Sequence, residues 1–335
     1  MDLPNDRVLA AIAQRYARIT WKLGDEIGSR PMVLPNGEFF PDQVGTSRKG
    51  VQRLVDRMRQ HAGMEDIPVR VELHGEEPPM GGASCCGGSC SGPTAGLKLA
   101  ERLVDEGDGY KLALEKGELA DPVVLCTQLA RTLAGLFLNE TLVEGESIDP
   151  PVDVTVDLVA VALGFGALML EGSYIYKKSC GGPSVLRATH LGCAELAPAF
   201  ALFIAQGGHS SRRALSELGT TQKALVREAQ TWVDSNPRLV RLLRDNPKEL
   251  AAGNITLRQP QPSLLGWLAR GKGAANGSDT EFDEEQMLAE LEEMAAQTET
   301  RKKPRPVRVD PVRDELRALV DEALDTPAGA SNPPS

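Results

Sequence analysis

The stretch DPVVLCTQLARTLAGLFLNE, residues 121–140, predicts a helix. Asp121 suits the N-cap position and Pro122 suits the first helical turn. Apolar residues recur along one side at helical spacing, namely Val124, Leu125, Leu129, Leu133, Leu136 and Phe137. The opposite side is polar and consists of Thr127, Gln128, Arg131, Thr132 and Gly135. This polar side is either a solvent-facing surface or the remains of a functional site.

Patterns on either side of this helix predict a small sheet. VRVELH, residues 69–74, alternates apolar and polar residues as a half-buried strand does. RLV, the turn DEGDG and YKLAL predict a hairpin whose second strand, residues 110–114, precedes the helix. Further helices are expected at residues 5–26, 47–61, 153–171, 188–206, 210–233 and 236–245. These elements predict an α+β fold, with a small, mainly antiparallel sheet packed with helices.

A change in composition near residue 258 divides the chain. Residues 1–258 are expected to form the α+β domain, and residues 259–335 a charged, largely disordered extension with two short amphipathic helices. The second of these helices carries an apolar stripe made of Val312, Leu316, Leu319, Val320 and Leu324. The stripe could dock into the groove of an unknown protein partner, or fold back on the chain's own domain.

Charge and hydropathy exclude two kinds of partner. The 335 residues have a formal net charge of −10, which argues against nucleic-acid binding because that role needs a basic surface. The longest apolar run, residues 158–170, has 13 residues, whereas a helix needs about 20 to span a bilayer. It therefore indicates a buried core helix and no membrane role. Because the N-terminal residues lack a signal-peptide pattern, a cytoplasmic location is expected.

Three of the six cysteines, Cys85, Cys86 and Cys90, lie close together in the glycine-rich stretch GGASCCGGSCSG. Thiolates bind soft metals, and Cys86 and Cys90 have C-x3-C spacing, so this stretch could hold zinc. A closed zinc site needs four ligands, however, and the sequence shows no clear second pair. The vicinal Cys85 and Cys86 could instead be redox-active, or the stretch could be an inert loop.

Several stretches together carry a resemblance to a known group of proteins: VLPNGEFFPD, the glycine and cysteine stretch, GYKLAL, DPVVLCTQLARTLAG and DLVAVALGFG. Over about residues 30–250 the chain resembles a group of uncharacterised bacterial proteins with a zincin-like metallopeptidase core. In that group, the helix corresponding to residues 121–140 carries an H-E-x-x-H motif. Its two histidines bind zinc and its glutamate polarises a metal-bound water.

The resemblance places Arg131 at the first histidine of the motif, Thr132 at the glutamate and Gly135 at the second histidine. Asp157, at the head of the apolar helix, matches a further acidic position. Arginine repels a divalent cation, threonine cannot act as a carboxylate base, and glycine supplies no ligand. The resemblance therefore implies a degenerate motif. Arg131 then either forms an ion pair with Asp157 in the emptied metal cleft or binds a substrate.

Taken together, the sequence favours a non-catalytic scaffold or protein-interaction protein, a pseudoenzyme that uses the emptied cleft or the C-terminal helix. One alternative is a metal-binding or thiol-redox protein working through Cys85, Cys86 and Cys90. A second alternative is a hydrolase whose ligands the motif comparison misses. No catalytic residue is assigned, and the only cofactor considered is zinc at the cysteine stretch.

Overall fold

The computed structural model describes residues 2–24, 28–42, 45, 47–75, 102–141, 150–179 and 182–253. All of them belong to a compact unit, Met1–Trp267. The cysteine stretch with Cys85, Cys86 and Cys90 lies outside the described residues, and so does the apolar stripe of residues 312–324. The predicted domain boundary at residue 258 and the predicted helices of the extension therefore stay predictions.

The described part of the chain mixes helices and strands, which confirms the predicted α+β class. Its helices are α1 (Asp6–Leu23), α2 (Arg48–His61), α3 (Pro122–Thr141), α4 (Val152–Ala160), α5 (Gly166–Ser173), α6 (Cys193–Gly207), α7 (Ser211–Ser216), α8 (Thr220–Asp234), α9 (Pro237–Asp245) and α10 (Pro247–Ala251). Its strands are β1 (Val69–His74), β2 (Leu103–Asp105), β3 (Tyr110–Glu115), β4 (Ile175–Ser179) and β5 (Gly182–Leu186). A 3-10 helix, Lys116–Ala120, joins β3 to α3.

The strands form two small sheets. In the first, of order β1–β3–β2, β3 is antiparallel to β2 and parallel to β1, with Val69 opposite Tyr110. The predicted hairpin and the predicted strand at residues 69–74 are therefore confirmed. The longest pairing, between β1 and β3, is parallel. Residues 75–109, which include β2, separate these two strands and are long enough for the crossover that a parallel pair needs. The second sheet is the antiparallel β4–β5 hairpin, which no sequence pattern predicted.

The core is built around a long apolar helical segment, Val152–Ser173, that comprises α4, a single π-helical turn and α5. The segment is long and apolar enough to cross a membrane, but 83% of its most apolar stretch of 18 residues is buried inside the protein. Residues 155–170 are all buried. The predicted buried position of this segment is thus confirmed, but the predicted helix at residues 153–171 is two helices, α4 and α5, with a kink at Gly164 between them. The apolar surface of the segment is covered by neighbouring elements of the same chain.

The π-helical turn lets an extended segment pass close to the core helix. Gly164 lies in this turn with φ +97°, a conformation that favours glycine. A Cβ atom at Gly164 would lie 2.2 Å from the carbonyl oxygen of Pro31. The amide of Val33 donates to the carbonyl of Gly164 at 3.0 Å. Residues 31–33 are therefore packed directly against the backbone of the core helix.

Two further predicted helices have different bounds in the structure. The predicted helix at residues 210–233 is two helices, α7 and α8. Gly219 caps α8 in an extended conformation, and its amide donates to the Glu171 carboxylate at 2.7 Å. The predicted helix at residues 188–206 begins only at Cys193. The residues before it, 187–192, form no helix and are called the strap below.

Candidate functional site

Helix α3 forms as predicted, and its start is fixed by local hydrogen bonds. The Asp121 carboxylate accepts from the amides of Val123 and Val124 at 3.1 and 3.3 Å. These contacts satisfy two of the amides that have no partner within the first helical turn. The predicted capping role of Asp121 is therefore confirmed, and it sets the register of the polar side of α3.

The polar side of α3 is not a solvent-facing surface. Thr127 and Thr132 are fully buried, and Gly135 is also buried. The Thr127 hydroxyl lies within hydrogen-bonding distance of the carbonyl of Leu168 in α5, at 3.1 Å. The Gln128 side-chain amide donates to a carbonyl of the strap at 2.9 Å. The solvated-face interpretation is wrong because α4, α5 and the strap cover this side of the helix.

Arg131 lies at the centre of a group of charged and polar contacts. Its Nε donates to Asp157 Oδ1 at 2.6 Å, and its Nη2 donates to Asp153 Oδ1 at 2.9 Å. The Arg131 side chain is 13% exposed, Asp157 is fully buried, and the Asp153 side chain is 53% exposed. Both carboxylates project from one face of α4 because they are four residues apart. The Arg131–Asp157 ion pair, one of the alternatives that the sequence left open, is therefore present.

The second carboxylate oxygen of Asp157 holds the strap. Asp157 Oδ2 accepts from the backbone amides of His190 and Leu191, both at 2.7 Å. The strap is fixed further by a bond of 2.8 Å from the amide of Ala188 to the carbonyl of Gly172 in α5. One buried carboxylate thus links α3, α4 and the strap. We call Arg131, Asp153, Asp157 and these two amides the Arg131 cluster.

Burial and hydrogen bonding act in opposite directions on Asp157. Burial raises the pKa of the Asp157 carboxyl above its ordinary value, and this is the largest effect. The Arg131 guanidinium and the amides of Leu191 and His190 lower the pKa and offset part of that rise. The charged carboxylate is therefore costly to bury, and Arg131 is the cation that makes its burial tolerable.

The donor set on α3 does not fit a zincin metal site. At the motif positions, Arg131 is a cation, Gly135 has no side chain, and the Thr132 hydroxyl donates to the carbonyl of Gln128 at 2.8 Å. Within the described ranges, no group of three or more His, Cys, Asp or Glu side chains is placed to hold a metal ion. What this arrangement does chemically is pair a guanidinium with carboxylates and anchor a backbone segment.

The two cysteines in the described residues are ordinary packed thiols. Cys126 is half-buried in α3, and burial raises its pKa to about 11. Cys193 is buried at the start of α6, and burial is the main cause that raises its pKa as well. Both thiols are therefore protonated at neutral pH and poor nucleophiles.

The sequence patterns did not predict every member of the Arg131 cluster. Asp153 could have been found, since it precedes Asp157 by four residues and so lies on the same face of α4. The strap amides of His190 and Leu191 carry no sequence signal because every residue except proline has an amide. A second buried ion pair was also missed, in which Arg102 Nη1 donates to Glu118 Oε2 at 3.0 Å.

Comparisons with known proteins find no relative on which to base a function. No protein-family model matches the chain, and no curated protein or solved structure matches it. The fold and the site therefore define an α+β protein with a buried guanidinium–carboxylate cluster between α3, α4 and the strap. The resemblance to zincin-like proteins rests on the sequence motifs alone.

Proposed function

We propose that this protein is a non-catalytic scaffold or protein-interaction protein, built on a zincin-like core whose metal-binding motif is degenerate. The observation that carries the proposal is the contact between Arg131 Nε and the buried Asp157 carboxylate at 2.6 Å. In the proposed register, Arg131 stands where a zincin has a zinc-binding histidine. In that register, the positive charge beside Asp157 comes from the Arg131 guanidinium, where a zincin has a zinc ion.

The contacts of Asp157 support a structural role for this cluster. Its two oxygens accept from three N–H donors, one from Arg131 and two from the strap. A catalytic or metal-binding carboxylate needs an oxygen that faces the metal or the substrate. Asp157 is fully buried and directs both oxygens at groups of its own chain. The cluster therefore makes its contacts within the fold and holds the strap in place.

An interaction role is supported by exposed apolar side chains. Val152, next to Asp153 of the cluster, is exposed, and so are Tyr176 on β4 and Val185 on β5. Tyr176 and Val185 are cross-strand partners and so lie on one face of the hairpin. Adjacent exposed apolar side chains such as this pair are a feature of protein-binding surfaces. The second proposed surface is the apolar stripe of the C-terminal extension.

The test is site-specific photo-crosslinking of the full chain at single positions. Val152, next to the Arg131 cluster, and Val104, on β2, are both 45% exposed and form a matched pair of positions for the photoreactive residue. We expect a defined protein adduct from position 152 in extracts of the native cell, and none from position 104. A third variant with the photoreactive residue at Leu319 tests the C-terminal stripe. Adducts at none of the three positions, or the same adducts at all three, would overturn the proposal.

A further inference from the structure

We draw no further inference here: the strongest candidate, the exposed face of the β4–β5 hairpin that carries Tyr176 and Val185, carries nothing further because it belongs to the surface already described.

Discussion

Arg131 and Asp157 each provide the charge that the other needs. Asp157 is fully buried, so the energy of its carboxylate depends on the guanidinium that contacts Oδ1 and on the two strap amides at Oδ2. Asp153 depends much less on Arg131, because half of its side chain is exposed to water. The cluster is thus asymmetric, with one essential ion pair and one peripheral pair.

Removing Arg131 is expected to be strongly destabilising. In Arg131→Met the side chain keeps an unbranched apolar stem but loses the guanidinium, which leaves Asp157 buried without a cation. We expect a loss of about 3–5 kcal/mol in the free energy of unfolding at pH 7, measured by urea denaturation. Asp153→Asn, which removes only the half-exposed pair, is the control and is expected to cost no more than about 1 kcal/mol. Equal stabilities of Arg131→Met and the wild type would contradict the structural role of Arg131.

The raised pKa of Asp157 predicts how stability changes with pH. The folded protein binds the Asp157 proton more tightly than the unfolded chain does. The contribution of Asp157 to stability is therefore fully present below the ordinary pKa of aspartate and is lost as pH rises through the raised folded-state pKa. Arg131 lowers the folded-state pKa of Asp157, so this pKa should be higher in Arg131→Met than in the wild type. The free energy of unfolding should therefore fall more steeply in Arg131→Met than in the wild type as pH rises from acidic to neutral.

NMR titration of the Asp157 carboxyl carbon, with urea denaturation at each pH, measures this effect. The Asp157→Asn variant has no carboxyl group at this position, so the titrating resonance that is missing from its spectrum is that of Asp157. The expected order of the Asp157 pKa values is ordinary aspartate, then wild type, then Arg131→Met. A wild-type carboxyl that titrates below the ordinary aspartate range would contradict the account, because hydrogen bonding would then outweigh burial.

Among the elements, the sequence predicted those whose signals are local. Helix α3 was predicted at residues 121–140 and observed at Pro122–Thr141, since its cap and apolar periodicity lie within the segment itself. The start of α6 was misplaced because residues 187–192 are held by Asp157, which is distant in sequence. The β4–β5 hairpin was missed because its strands are only five residues long and β5 contains Pro183, which is rare inside strands.

The strap is expected to loosen when Asp157 loses a carboxylate oxygen. Asn at this position has one acceptor oxygen, so its NH2 group must face either Arg131 or the strap amides, which are all donors. We expect Asp157→Asn to speed hydrogen exchange at the amides of His190 and Leu191, measured by mass spectrometry. Asp153→Asn is the matched control, since the contacts of Asp153 do not reach the strap. Unchanged exchange in Asp157→Asn would show that the strap is held by other contacts.

The close approach of α5 to α3 predicts that an added methyl group at Gly172 is destabilising. A Cβ atom at Gly172 would lie 2.0 Å from the Thr127 hydroxyl oxygen, so Gly172→Ala must push α3 and α5 apart. We expect a cost of about 1–3 kcal/mol in the free energy of unfolding. Gly117→Ala provides the control, because no atom lies within 4 Å of the added Cβ there. Equal stability of the two variants would mean that the helices are less tightly packed than described.

At the scale of the whole molecule, the sequence identified the residues of the site but could not decide their role. It indicated Arg131 and Asp157, and it left open whether Arg131 lies on a solvent-facing surface, forms an ion pair with Asp157 or binds a substrate. The decision depends on burial, since α4, α5 and the strap cover the polar side of α3. Burial arises from contacts between distant segments, so no pattern within residues 121–140 could have established it.

The proposed function combines this site with the surface around it. In that proposal, the core supplies an ion-pair cluster whose contacts lie within the chain, and exposed apolar side chains such as Val152 are offered to a partner. The scaffold, metal-binding and hydrolase alternatives differ in whether the protein binds zinc and in which residues bind it, and both can be measured. Cys85, Cys86 and Cys90 are the ligands in the metal-binding alternative, whereas a hydrolase with missed ligands would bind zinc without them.

The most direct test of the central claim is the zinc affinity of the full-length, untagged chain, measured by isothermal titration calorimetry. Three forms are compared: the wild type, the chain with Cys85→Ser, Cys86→Ser and Cys90→Ser, and that triple variant with Asp157→Asn added. The account predicts no stoichiometric zinc binding in the triple variant and no change on adding Asp157→Asn. Binding of one zinc per chain in the triple variant, lost on adding Asp157→Asn, would contradict the account, because the Asp157 cleft would then be a working metal site.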